Sequence, residues 1–256
     1  MIRVLNTNWR GDTLHHKIAE IVGIRPGQRV LDLGCGRGGT LTHLLARAGA
    51  QGRVIALDRD DTALRMVEER HANDVNAGRL EVVRSDLARP LPFPDKAFDA
   101  IICQNVIEAL RDRRNMVEEI WRVLRPDGHL LVGQHDFDAV VLAASDRALT
   151  RRILHAYADH DEPGQDITEG QMGRQLPGLF HRSRFQSAES KTVMLVDFDL
   201  SKGSYAAGFL AGIAHLARDI GLAPEELESW LADLNARVAA GNFYFAIPWV
   251  YVLARK

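Results

Sequence analysis

Val30-Leu31-Asp32-Leu33-Gly34-Cys35-Gly36-Arg37-Gly38-Gly39 is an apolar run that stops in a cluster of glycines. With Arg29 in front, its first half reads as a short buried strand, Arg29 to Leu33. Glycines let the backbone turn sharply and come close to a ligand. Helical period resumes at Thr40, with Leu41, Leu44 and Leu45 on one face. A strand, a glycine turn and a helix start in succession make a loop built to receive a polar ligand.

The same alternation extends along the chain. A helix over Thr13 to Val22 precedes the first strand. Further strands are expected at Val54–Leu57, ending at Asp58, and at Leu80–Val83, Phe98–Cys103 and His129–Val132. Helices capped at Asp61 or Thr62 and running from Arg113 to Leu124 lie between them. Repeated strand and helix predict an α/β fold with an open, doubly wound, mostly parallel sheet. In such sheets ligands bind beyond the carboxyl ends of the strands, where strand order reverses.

The second half is less regular. It reads as helix over Val140–Ala158, polar loop over Asp159–Leu176 and a sixth strand over Lys191–Phe198. Helices follow at Tyr205–Ile220 and Pro224–Ala240, then a last strand at Phe243–Ala254. These pieces assemble as one domain over 1–256: an amino-terminal cap (1–25), a ligand-binding core (26–136), cap helices with the sixth strand (137–241) and the last strand (242–256).

Composition excludes several classes of function. The 256 residues are 46% hydrophobic and 26% charged, enough apolar material for a core, which excludes disorder as the main state. A net charge of −2 gives no electrostatic footprint for nucleic acid or an anionic membrane. No apolar window reaches the ~18 residues of a membrane span, and the first residues lack the apolar core of a signal peptide. Cys35 and Cys103 form neither a disulfide framework nor, with other side chains, a metal-ligand pattern. The expectation is a cytoplasmic protein with a small-molecule partner, no metal, and no nucleic-acid or membrane partner.

Two templates fit the glycine loop. Gly34, Gly36 and Gly39 spell the dinucleotide pattern G-x-G-x-x-G, while Asp32 with Gly34, Gly36 and Gly38 spells Asp-x-Gly-x-Gly-x-Gly. Asp58, ending the second strand, is placed to accept hydrogen bonds from ribose hydroxyls, which serves NAD and S-adenosylmethionine equally. Three features favour the latter. Asp32 stands where a dinucleotide fold takes a small or apolar residue, and its carboxylate can hold loop amides and the ammonium end of an amino-acid-like cofactor. Ser85-Asp86-Leu87 supplies a side-chain acceptor and a backbone donor for adenine. No tyrosine has a lysine four residues on, so the proton donor of a short-chain dehydrogenase is missing.

Residues 28–133 resemble the class I S-adenosylmethionine-dependent methyltransferases, in the small-molecule branch that includes the ubiquinone/menaquinone C-methyltransferases. The resemblance rests on Val30 to Gly38, Val54-Ile55-Ala56-Leu57-Asp58, Leu91 to Asp99, and Arg122-Val123-Leu124-Arg125-Pro126-Asp127-Gly128, in that order. It implies a Rossmann-like methyltransferase fold with helical cap insertions, and S-adenosylmethionine as cofactor with S-adenosylhomocysteine as product. It further implies that the loop of Gly34, Gly36 and Gly38 faces the methionine part, Asp58 the ribose, and Asp86 with Leu87 the adenine. Arg59 would lie beside the adenine and Gln104 near the amino-acid end. Ala109 departs from the pattern where the family often carries histidine.

Methyl transfer from a sulfonium is an in-line displacement, in which positioning supplies up to ~7–11 kcal/mol. A general base adds typically ~10²–10⁴-fold for a hydroxyl or ammonium acceptor. His135, expected just after the fifth strand, is the candidate base, with Asp136 or Asp138 to orient it. His160-Asp161 is a second candidate, and His15 and His16 read as surface residues. Trp9, Arg10 and the extra helices should cover the acceptor. The function expected is methyl transfer to a small organic metabolite at oxygen or nitrogen. An NAD(P)-linked oxidoreductase and a non-catalytic S-adenosylmethionine-binding protein stand as alternatives.

Overall fold

The computed structural model describes residues 11–161, 168–185 and 187–256. The first half comprises α1 (Gly11–Ile21), β1 (Arg29–Leu33), α2 (Leu41–Ala48), β2 (Arg53–Asp58), α3 (Asp61–Arg70), α4 (Ala72–Asn76), β3 (Leu80–Arg84), β4 (Phe98–Gln104), α5 (Arg113–Val123) and β5 (Leu124–His135). The second comprises β6 (Val141–Leu142), α6 (Arg147–Ala158), α7 (Met172–His181), β7 (Glu189–Asp197), α8 (Tyr205–Leu216), α9 (Pro224–Ala239) and β8 (Phe245–Arg255). The strands form a mixed, mostly parallel sheet in the order β3-β2-β1-β4-β5-β8-β6, with β7 also paired to β8. This is the doubly wound α/β architecture that the alternation predicts.

The chain folds as two compact units. The first is built from His15–Gln134, Gln175–Lys191 and Tyr251–Lys256. Its centre is β1, parallel to β2 on one side and β4 on the other, with Leu31 opposite both Ile55 and Ile101. β3 flanks β2 and β5 flanks β4, both parallel. Strand order therefore reverses between β1 and β4, the switch point where such sheets bind ligands. Val30, Leu31 and Leu33 are fully buried, as are Leu41 and Leu44 of α2. Each such side chain contributes about 1.5–3 kcal/mol. The cap of α3 is Asp60, one residue earlier than expected: its carboxylate accepts from the Thr62 and Ala63 amides.

The second unit contains His135–Arg174 and Thr192–Val250. Here β6 pairs antiparallel with β8, Val141 opposite Ala246 and Leu142 opposite Phe245. The helix expected from Val140 thus begins only at Arg147, where Asp146 accepts from the Leu149 amide. The branched residues ahead of it are drawn into the sheet. The loop expected over Asp159–Leu176 is also shorter, because α7 begins at Met172. Met172, Leu176, Leu179 and Phe180 are buried at helical spacing, a pattern masked in sequence by Gly173, Pro177 and Gly178. β5 runs to His135 rather than ending at Val132, since Gly133 still pairs with Gln104. Trp9 and Arg10 lie outside the described residues.

Candidate functional site

The glycine loop leaves β1 and is clipped to the end of β2. The Gly34 and Cys35 amides both donate to the Leu57 carbonyl, at 2.8 and 2.9 Å. Gly34, Gly36 and Gly38 hold φ of 74°, 50° and 77°, the left-handed region that favours glycine. A Cβ at Gly34 would also stand 2.3 Å from a methyl of Val106, whereas at Gly36 it would meet nothing within 4 Å among the described residues. The loop is therefore packed on one side and open at Gly36. The conformational demand falls on the glycines of the Asp-x-Gly-x-Gly-x-Gly spacing.

Gly39, the glycine that completes the dinucleotide spacing, is not left-handed. It is small for a different reason: a Cβ there would lie 2.6 Å from Nε2 of His15. His15, expected at the surface, is half-buried on the loop, with Nδ1 2.9 Å from Oγ1 of Thr40. Gly39→Ala is expected to cost about 1–3 kcal/mol through this overlap. In a His15→Ala background the same change should cost under ~1 kcal/mol by urea unfolding. An equal cost in both backgrounds would locate the strain elsewhere.

Asp32 and Asp58 supply the negative charge. Asp32, in the middle of β1, is 3% exposed. Burial, and then repulsion from Asp58, push its carboxyl up to about 7. A carboxyl so buried calls for a cation, which the ammonium of an amino-acid-like cofactor provides. Asp58 is engaged in the loop itself: Oδ2 accepts from the Gly36 amide at 2.8 Å, and Oδ1 from the Arg59 and Asp60 amides at 2.7 and 3.0 Å. A carboxylate offers about four acceptor positions, so three backbone amides leave roughly one for a ribose hydroxyl. The loop amide held by a carboxylate is thus held by Asp58.

The remaining expected cofactor residues sit at strand ends of the same unit. Asp86 is exposed after β3, with Oδ1 accepting from the Ala88 amide at 3.0 Å. Leu87 follows it half-buried, and the Arg59 side chain is exposed after β2. Gln104 ends β4 with Nε2 3.4 Å from Oδ1 of Asn105, whose left-handed φ of 50° turns the chain out of the sheet. Burial pushes the thiols of Cys35 and Cys103 well above their ordinary range, which makes them poor nucleophiles.

In the second unit, His135 is the last residue of β5 and is 1% exposed. Its ring lies 4.7 Å from that of Tyr205 and 5.8 Å from that of Phe137. The aspartates expected to orient it are held by an arginine that the sequence reading passed over. Arg174 donates to Asp136 through Nε at 2.7 Å and Nη2 at 2.6 Å, with its backbone amide adding a third bond at 3.1 Å. Its Nη1 lies 3.2 Å from Asp138. This fork ties the first turn of α7 to the residue after His135. His160 stays half-buried after α6.

The methyltransferase-domain family matches residues 31–132. The chain resembles the class I S-adenosylmethionine-dependent methyltransferases. An uncharacterised 37.1 kDa protein in transposon Tn4556 of Streptomyces fradiae is 29% identical over 231 residues, 90% of this chain and 63% of that protein. The ubiquinone/menaquinone biosynthesis C-methyltransferase UbiE of Enterobacter sp. (strain 638) is 37% identical over 110 residues, 43% of each chain. The matched stretch thus spans under two thirds of either relative. Among solved structures, the YcgJ protein from Bacillus subtilis superposes with a TM-score of 0.61 at 18% identity, covering 94% of this chain and 97% of that one. The fold is accordingly the Rossmann-like methyltransferase fold.

Against that family background, sequence reasoning missed His15, Arg174 and Gln134. Gln134, fully buried in β5, has no hydrogen-bond partner for either side-chain amide atom among the described residues. Its position beside His135 was visible in sequence, but its burial was not.

Proposed function

We propose that this protein transfers a methyl group from S-adenosylmethionine to oxygen or nitrogen of a small organic acceptor. The observation that carries the reading is Asp32: a buried, charge-poor carboxyl two residues ahead of three left-handed glycines. S-adenosylmethionine, when bound, supplies an electrophilic methyl on a sulfonium. Asp32 pairs with the ammonium of the amino-acid end, and Gln104 lies beside that end. The loop through Gly34, Gly36 and Gly38 accommodates the methionine part. Asp58 uses its remaining acceptor position for the ribose, Asp86 and the Leu87 amide hold the adenine edge, and Arg59 flanks it. The core over 26–136 does the cofactor's work and the segments outside it receive the acceptor. The two free cysteines suit the reducing cytoplasm.

His135 takes the acceptor's proton. An imidazole is the side chain most often used for such a proton transfer. The test is methyl transfer from radiolabelled S-adenosylmethionine to a fractionated pool of small metabolites, comparing wild type with His135→Asn. The expected result is labelled acceptor with wild type and a loss of ~10²–10⁴-fold in kcat for the variant, at unchanged S-adenosylhomocysteine affinity. An unchanged kcat would remove the base role. S-adenosylhomocysteine binding with no labelled product from any fraction would favour a non-catalytic cofactor-binding protein.

A further inference from the structure

Thr40 stands at the head of α2 with its hydroxyl turned away from the helix. A threonine at that position ordinarily takes extended backbone angles and caps an amide of the first turn. Thr40 instead holds helical angles, φ −89° and ψ −21°, and its side chain caps no amide of α2. Its Oγ1 lies 2.9 Å from Nδ1 of His15 on α1. The His15 ring fills the space beside Gly39, where a Cβ would stand 2.6 Å from Nε2. One residue on, the His16 ring meets that of His43 edge-on at 5.3 Å. α1 is thus laid against the first turn of α2 at two points, through residues that all belong to the first unit.

The consequence is a set of open donors. Leu41 donates to the Gly38 carbonyl, and His43 and Leu44 donate to the Thr40 carbonyl. Among the described residues, nothing takes up the amides of Gly39, Thr40 and Thr42. Amides at a helix start, backed by the helix dipole, receive an anion. The cofactor expected in this loop carries one, the carboxylate of its amino-acid end, while its ammonium falls to Asp32. We infer that His15 is a positioning residue for the cofactor. By engaging the Thr40 hydroxyl, it keeps that hydroxyl from capping α2 and leaves the seat for the carboxylate open. The inference rests on the methyltransferase reading above. It goes beyond the family match, which covers 31–132 and does not reach His15.

The test is calorimetric titration with S-adenosylhomocysteine and, separately, with methylthioadenosine, which keeps the nucleoside and the sulfur but lacks the amino-acid end. Wild type is compared with His15→Leu, Thr40→Val and the double variant. In His15→Leu the freed hydroxyl caps α2, so S-adenosylhomocysteine affinity should fall about fivefold or more, with methylthioadenosine affinity unchanged. Thr40→Val has no hydroxyl to compete, so it and the double variant should bind S-adenosylhomocysteine within about threefold of wild type. His15→Phe keeps the ring and loses the bond, and it takes the place of His15→Leu if that variant does not fold. Unchanged S-adenosylhomocysteine affinity in His15→Leu, equal loss of both ligands, or the same loss in the Thr40→Val background would each overturn the inference while leaving the cofactor reading intact. Absence of S-adenosylhomocysteine binding by wild type would instead sink that reading, and this inference with it.

Discussion

Replacing Asp32 by Asn is expected to stabilise the ligand-free protein at pH 8 while abolishing cofactor binding. Both effects follow from one buried carboxyl held at about 7 against 3.8 in an exposed setting. Below about pH 4 the folded and unfolded chains both hold the proton, and Asp32 costs nothing. Between about pH 4 and 7 only the folded chain keeps it, so stability falls by ~1.4 kcal/mol per pH unit, then levels off. At pH 8 the substitution should therefore recover on the order of 2–4 kcal/mol, seen as a rise of roughly 5–10 °C in Tm. At pH 4 the gain should vanish. Cofactor binding carries the complementary signature. An ammonium beside Asp32 draws the proton off, so wild-type S-adenosylhomocysteine affinity should be flat above pH 7 and fall by up to tenfold per unit below it. A Tm gain for Asp32→Asn that is independent of pH would contradict the assignment.

Arg174→Met is expected to be among the most destabilising changes in the chain. Arg174 is half-exposed, but the Asp136 side chain that it grips is only 4% exposed. Losing the fork leaves a buried carboxylate with one backbone amide, and breaking such a pair costs ~3–5 kcal/mol. Arg174→Lys should recover only part of this, because an ammonium cannot make the two parallel bonds. Removing both charges in Asp136→Leu/Arg174→Met should cost much less than the single change. Urea unfolding of the four proteins measures the coupling directly. A loss under 1 kcal/mol for Arg174→Met would reduce the pair to an ordinary surface contact.

What the sequence disclosed follows from where its physics is local. The five parallel strands were legible because each centres on a short apolar run bounded by polar or turn-forming residues. The glycine loop was legible as a ligand loop, yet its two spellings could not be separated without φ values and the position of His15. The second unit was harder for a stated reason. Val141 and Leu142 become strand only by pairing with Phe245 and Ala246, a hundred residues on, and α7 carries Pro177 within an otherwise helical pattern. Asp136 is adjacent to His135 in sequence, but the arginine that grips its carboxylate, Arg174, lies 38 residues away, and no local rule connects the two.

The central claim is that the loop after β1 receives S-adenosylmethionine. Calorimetric titration of the wild-type protein at pH 8 with S-adenosylhomocysteine, and separately with NAD and NADP, tests it most directly. Asp58→Ala is a poor sole control, since Asp58 also holds the Gly36 amide; Asp32→Asn serves beside it. The account predicts micromolar S-adenosylhomocysteine binding that Asp32→Asn abolishes, and no binding of either dinucleotide. Binding of NAD or NADP without S-adenosylhomocysteine would contradict the account and every site assignment built on it.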